Sequence, residues 1–152
     1  MVRRDVLLGS LASIFIFVLV SSGFGVAGNK RNLILTNGEG AVTIAITYLN
    51  PIEKVEGDQL AFKVQMDTHS VNLDHYRIDV LTILRDDKGN EYEALGWVSP
   101  RGRGHHRSGV VKFSNKNTFG RPIIDPQTKY IEVIIKGVNG IPQRVFKWEF
   151  PL

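Results

Sequence analysis

The chain has 152 residues, a formal net charge of +4, 43% hydrophobic residues and no cysteine. Without thiols there are no disulfide staples, no thiol catalysis and no iron–sulfur chemistry, so the fold must be held by packing. The small basic surplus does not indicate nucleic acid, whose partners usually concentrate charge on one face or helix.

At the N-terminus, Arg3 and Arg4 precede an apolar run from Val6 to Val20, and Ser21, Ser22, Gly23, Gly25 and Ala27 follow. That order is the order of a secretory signal, and Gly25-Val26-Ala27 offers small side chains at the two positions a signal peptidase reads. Val6 to Ala27 is also about 22 residues, long enough to remain as a membrane-spanning anchor helix. Either way the basic flank stays in the cytoplasm and the C-terminal bulk is expected outside: secreted, periplasmic or anchored on the outer face of the membrane. Arg3-Arg4-Asp5-Val6-Leu7 is similar to a twin-arginine signal, whereas the strongly apolar Ile14 to Val20 is more typical of the general secretory route. No cysteine follows the run, so a thioether lipid anchor is excluded.

Residues 28–40 read as a polar, glycine-containing tether in which Leu33-Ile34-Leu35 is at most a weak first strand. From residue 41 to 152 the chain has the length of one domain. Its hydrophobic period is two, the mark of half-buried strands. Val42, Ile44, Ile46 and Tyr48 alternate with Thr43, Ala45 and Thr47 up to Asn50-Pro51. Leu60, Phe62, Val64 and Met66 alternate with Ala61, Lys63, Gln65 and Asp67. Ile78, Val80, Thr82 and Leu84 predict a third strand, with Asp86 to Asn90 as a turn and Glu91 to Val98 as its hairpin partner. A basic glycine-rich loop, Arg101 to Arg107, leads to a short strand at Val110, Val111 and Phe113. After a long polar segment, Tyr130 to Lys136 and Arg144 to Phe150 form a final hairpin across Gly137-Val138-Asn139-Gly140, with Phe146, Trp148 and Phe150 on one face.

About seven short strands and no convincing amphipathic helix predict an all-β, two-sheet antiparallel sandwich of immunoglobulin or fibronectin-like topology, with a closed barrel as the alternative.

The four histidines lie in two segments, and candidate chemistry gathers there. His69 and His75 flank one connection beside Asp67 and Asp74, while Arg101, Arg103, His105, His106 and Arg107 share the other. If the two segments open at one end of the sandwich, three readings follow. His69, His75, His105, His106 and Asp67 could ligate copper or zinc, although three arginines would repel a cation and adjacent His105 and His106 point to opposite sides of an extended chain. Asp67, Thr68 and His69 could instead bond loop backbone. In the third reading, Arg101, Arg103, His105, His106 and Arg107 clasp an anion, an acidic glycan or a lipid headgroup. No nucleic acid is expected, because the stretch has no aromatic stacking residue.

Catalysis finds no support: His69-Ser70 is not a triad and no G-x-S-x-G occurs. Asp86-Asp87 and Glu91/Glu93 read as a solvated turn, and Trp97 and Trp148 as core or rim residues. Asp67-Thr68-His69-Ser70, Gly104-His105-His106-Arg107-Ser108-Gly109 and Arg144-Val145-Phe146-Lys147-Trp148 together resemble a small exported prokaryotic immunoglobulin-like β-sandwich domain that recurs without an assigned function. The likeness spans most of the chain after the leader; it implies an extracytoplasmic sandwich and carries over no catalytic residue. Periplasmic copper-carrier sandwiches are a looser comparison, since their methionine-rich ligand runs have no counterpart where Met66 is the sole methionine after the leader. The expectation is a non-enzymatic binding module whose partner is a protein or an anionic component of the cell envelope, with a metal-binding protein as the alternative.

Overall fold

The computed structural model describes residues 33–152; the leader and residues 28–32 of the tether lie outside the described residues. In chain order the strands are β1 (Ile34–Asn37), β2 (Val42–Tyr48), β3 (Gln59–Thr68), β4 (Thr82–Asp86), β5 (Glu91–Glu93), β6 (Gly96–Arg103), β7 (His106–Ser114), β8 (Tyr130–Lys136) and β9 (Gln143–Glu149). One helical turn, α1 (Ile78–Leu81), precedes β4. Two antiparallel sheets result, β1-β2-β3-β7-β6 and β5-β4-β8-β9. With β1 set aside, their order is that of immunoglobulin strands A-B-E-D facing C′-C-F-G, the topology expected from the sequence.

Alternation is why these segments pair as they do. Val42, Ile44 and Ile46 of β2, Phe62, Val64 and Met66 of β3, and Val111 and Phe113 of β7 turn inward against Leu84, Ile131, Val133, Phe146 and Trp148 of the second sheet. Phe62 is at the centre, stacked on Tyr48 at 5.0 Å, edge-on to Phe113 at 5.9 Å and tilted to Trp148 at 5.4 Å. Offset and edge geometries like these add to what area burial alone contributes. The Trp148 indole N–H donates to the Leu33 carbonyl at 3.2 Å, which ties the start of the domain to its last strand. Antibody domains carry their buried tryptophan on strand C, next to a disulfide; here it sits on the last strand and no disulfide is needed.

Several expectations are corrected. Among the described residues there are nine strands rather than about seven. The Leu33-Ile34-Leu35 segment contributes β1, paired with β2. Glu91 to Val98 is not one hairpin arm: β5 pairs with β4, the chain crosses at Ala94-Leu95, and from Gly96 it joins the other sheet beside β7. A period of two shows which side chains are buried but not which sheet they are buried from. Ile78 and Val80 do not begin a strand, because the Thr82 hydroxyl donates to the Ile78 carbonyl at 2.6 Å and closes a helical turn that leaves Val80 67% exposed. The Arg101 to Arg107 loop is strand, tight turn and strand, which lengthens the short strand expected at Val110 to Phe113 into β7.

Asp86 departs most from its reading as a solvated turn residue. It is 5% exposed and accepts from the amides of Lys88 and Asn90, the Asn90 side chain and the Tyr92 hydroxyl at 2.8–2.9 Å. Burial pushes its carboxyl up, but the bonds from Asn90, Tyr92 and Lys88 outweigh that and hold it below the ordinary carboxylate value. A depressed folded pKa gives stability that is complete above the unfolded value and is lost as the pH falls through the folded one. Asp86→Ala is therefore expected to cost about 2 kcal/mol at neutral pH. The gap from the native protein should narrow below about pH 4, as urea unfolding at a series of pH values would show.

The sandwich has two unlike ends. The end where the chain enters at Leu33, here the proximal end, carries residues 49–58, the turn after Asp86 and residues 115–129. The distal end carries the turn between β1 and β2, the connection 69–77, the β6–β7 turn and residues 137–142.

Candidate functional site

The two histidine-bearing segments meet at the distal end. Arg103 pairs with His106, so Gly104-His105 is a two-residue turn. Gly104 has φ +67° at its first position, the signature of a type II′ hairpin. Gly102 has φ +74°, and a Cβ there would run into the His106 carbonyl, so no other residue fits.

This hairpin is bonded to the connection 69–77. The Thr68 amide donates to the His105 carbonyl at 3.0 Å, the Leu73 amide to the Gly104 carbonyl at 2.8 Å, and the Gly104 amide to the Asp74 carboxylate at 2.9 Å. Thr68 is buried, and its hydroxyl donates to the Ala41 carbonyl at 2.6 Å while accepting from the Ser70 amide at 3.3 Å.

Arg107 follows the inward phase of β7 with Gly109, Val111 and Phe113. Its guanidinium lies 4.4 Å over the Trp97 ring and donates from Nη1 to the carbonyls of Leu73 at 3.0 Å and Asp74 at 3.2 Å. A third contact, to the Tyr76 carbonyl, is 3.5 Å long. Carbonyl acceptors and an aromatic face hold the guanidinium, with the Asp74 carboxylate 3.9 Å from Nε. Arg107, expected among the ligand-clasping residues, clamps the connection 69–77 and also borders one of the two depressions on the outer face. Gly109 makes this possible, since the Trp97 indole occupies the space a Cβ would take.

The opposite phase of the same strands faces solvent. Across β2, β3, β7 and β6 the rows are Thr43, Asp67, His106, Arg103; then Ala45, Gln65, Ser108, Arg101; then Thr47, Lys63, Val110, Val98. In the first row, His106 Nδ1 lies 2.8 Å from the Asp67 carboxylate, with both side chains exposed. Two shallow depressions adjoin here, one of about 200 Å³ and one of about 270 Å³. Arg101 and Ser108 border both, with Asp67 and His106 on one side and Lys63 on the other. Arg101, Arg103 and Lys63 make no ion pair among the described residues. The outer face therefore offers cations free of ion pairs over a floor that includes Gln65, Ser108 and Val110.

The metal reading does not fit. Among the described residues no group of three or more histidine, cysteine, aspartate or glutamate side chains converges. His106 meets Asp67, but His105 occupies the turn and His75 lies against Tyr76 with ring centroids 4.0 Å apart. His69, His75 and His105 do not join that pair, because the connection closes on the hairpin through backbone amides and Arg107 rather than through imidazoles.

No family model matches the chain. No curated protein matches it. Among solved structures it is similar to a secreted protein from Mycobacterium tuberculosis, MPT63, at 16% identity and a TM-score of 0.40, over 76% of this chain and 91% of that one.

Three residues that bear on the site carry signals in the sequence that composition and motif do not show. Gly109 stands in the inward phase of an alternating strand, a sign that a large side chain packs there. Arg144 shares the phase of Phe146 and Trp148 and is buried with them. Lys63 lies on the solvent phase of β3, beside β7 and across it from the β6 arginines, a neighbourhood visible only once the strand order is known.

Proposed function

We propose that the chain is an extracytoplasmic, non-catalytic binding module that takes an anionic group of a cell-envelope component, a phosphate or a carboxylate, on the outer face of β3, β7 and β6. The observation that carries this reading is the pair of adjoining depressions bordered by Arg101, with Lys63 at one edge and Arg103 at the end of the neighbouring row. Ser108, whose side chain lies between them, supplies a hydroxyl donor, and Arg101 supplies a planar fork suited to a bidentate anion. The leader's order of basic, apolar and small residues supports placement outside the cytoplasm.

Titration of the protein with inorganic phosphate and then polyphosphate, followed through amide resonances, tests the proposal. Shifts should centre on Gly102, Ser108 and Lys63 and weaken with added salt. Arg101→Gln should lower polyphosphate affinity roughly fivefold, consistent with one exposed charge-assisted contact. Shifts that are absent, or that the variant leaves unchanged, would refute the assignment.

A further inference from the structure

The proximal end carries a feature that the anion site does not use. Residues 115–122 fold back on themselves, with a bridge between Lys116 and Pro122. Within this finger the Asn117 amide donates to the Arg121 carbonyl at 2.9 Å, and the Gly120 amide to the Asn117 carbonyl at 2.9 Å. The Asn117 side-chain carbonyl accepts from the amides of Phe119 at 2.9 Å and Arg121 at 3.0 Å. At the tip of this well-bonded finger Phe119 is 85% exposed. The bonded turn, and not disorder, holds this apolar ring out in water. Ile52, half exposed, is presented at the same end by a turn in which its amide donates to the Leu49 carbonyl at 2.9 Å.

The point at which the chain enters names the occupant. Leu33 lies at this end, because Ile34 pairs with Thr47 near the end of β2 and the Leu33 carbonyl receives the Trp148 indole. Only Gly28 to Asn32 separate Leu33 from the candidate anchor, Val6 to Ala27. Five extended residues reach at most about 17 Å, so an uncleaved run in a bilayer keeps this end of the domain close to the lipid surface. We propose that the proximal end rests on the lipid bilayer, with Phe119 inserted into its interfacial layer and Ile52 against it. Aromatic side chains favour that layer, where the ring leaves water while the backbone remains hydrated. Lys54, Lys116 and Arg121 are matched here by Glu53, Glu56 and Asp58, and Lys116 pairs with Asp58 at 3.0 Å. Insertion should therefore depend on the ring and little on lipid charge. The proposal does not depend on the anion site, which lies on the outer face of the first sheet toward the other end.

Because the chain has no cysteine, a single labelling site can be introduced. The full chain, carrying Thr118→Cys with an environment-sensitive fluorophore, is incorporated into phosphatidylcholine vesicles with and without phosphatidylglycerol. The expected result is blue-shifted emission quenched by a lipid-borne quencher in both compositions. A Ser70→Cys label at the distal end should stay in water. Phe119→Ala should lower the inserted fraction of the Thr118 label roughly tenfold, and Phe119→Leu should restore most of it. Water-like emission at Thr118 in both vesicles, quenching that Phe119→Ala leaves intact, or equal quenching at Ser70 would each overturn the proposal and leave Phe119 to a protein partner.

Discussion

Arg144→Ala is expected to lower the unfolding free energy by about 3 kcal/mol, the largest loss from any single change discussed. Arg144 is 1% exposed on the core face of β9 and makes no ion pair among the described residues. It donates from Nη1 to the Val138 carbonyl at 2.9 Å and from Nη2 to the Glu39 carbonyl at 2.7 Å. One side chain thus joins the β1–β2 turn to the β8–β9 turn across the distal end. Alanine removes both bonds, strands two carbonyls and leaves a cavity. Burial also pushes the guanidinium's pKa down, a sign that desolvation offsets part of what these bonds contribute. Arg144→Met, which fills the cavity and removes the desolvated charge but still strands both carbonyls, should cost less, about 2 kcal/mol. Urea midpoints of the three proteins decide the matter, and an alanine variant within experimental error of the native protein would show that Arg144 does not hold these turns together.

Gly109→Ala is the second large effect, at about 2 kcal/mol. The added methyl would meet the Nε1, Cε2 and Cδ1 atoms of Trp97, so the indole must swing away. Arg107 would then lose its aromatic face, and the connection 69–77 the clamp that holds it. Two readouts follow: a shifted Trp97 fluorescence, and faster hydrogen exchange at the Leu73 amide, whose bond to Gly104 depends on that docking. If the collision is the cause, a double variant with Trp97→Ala should be less destabilised than the sum of the two single changes. Strict additivity would place the cost elsewhere.

Much of the fold was legible in the sequence because burial and alternation are the same fact seen twice. Val42 to Tyr48 and Leu60 to Met66 alternate without interruption, and both are strands with those residues inward. Partnership was not legible. Glu91 to Val98 alternates well enough to be one strand, yet it serves two sheets, since pairing is set by what lies beside each segment and not by its own pattern. The candidate site divided in the same way. Residue types located the loops that meet at the distal end, but the face each arginine takes depends on strand phase, so Arg101 and Arg107, six residues apart, point to opposite sides with different duties. The histidines attracted a metal reading because their two segments were expected to open at one end; the segments do meet, but they do so through backbone bonds, and no imidazole cluster forms among the described residues.

The irregularity in β6 has a consequence for how many copies can share a surface. Between Val98 and Arg101 the register with β7 shifts, Ser99 adopts φ +49°, and Pro100 has no N–H to offer. A second molecule laying a strand along this open margin would find its ladder broken within three residues and its continuation flanked by Arg101 and Arg103, which would repel their own counterparts. Neighbouring copies are thus discouraged from fusing sheet to sheet, and the outer face that carries Lys63, Arg101 and Arg103 stays individually accessible.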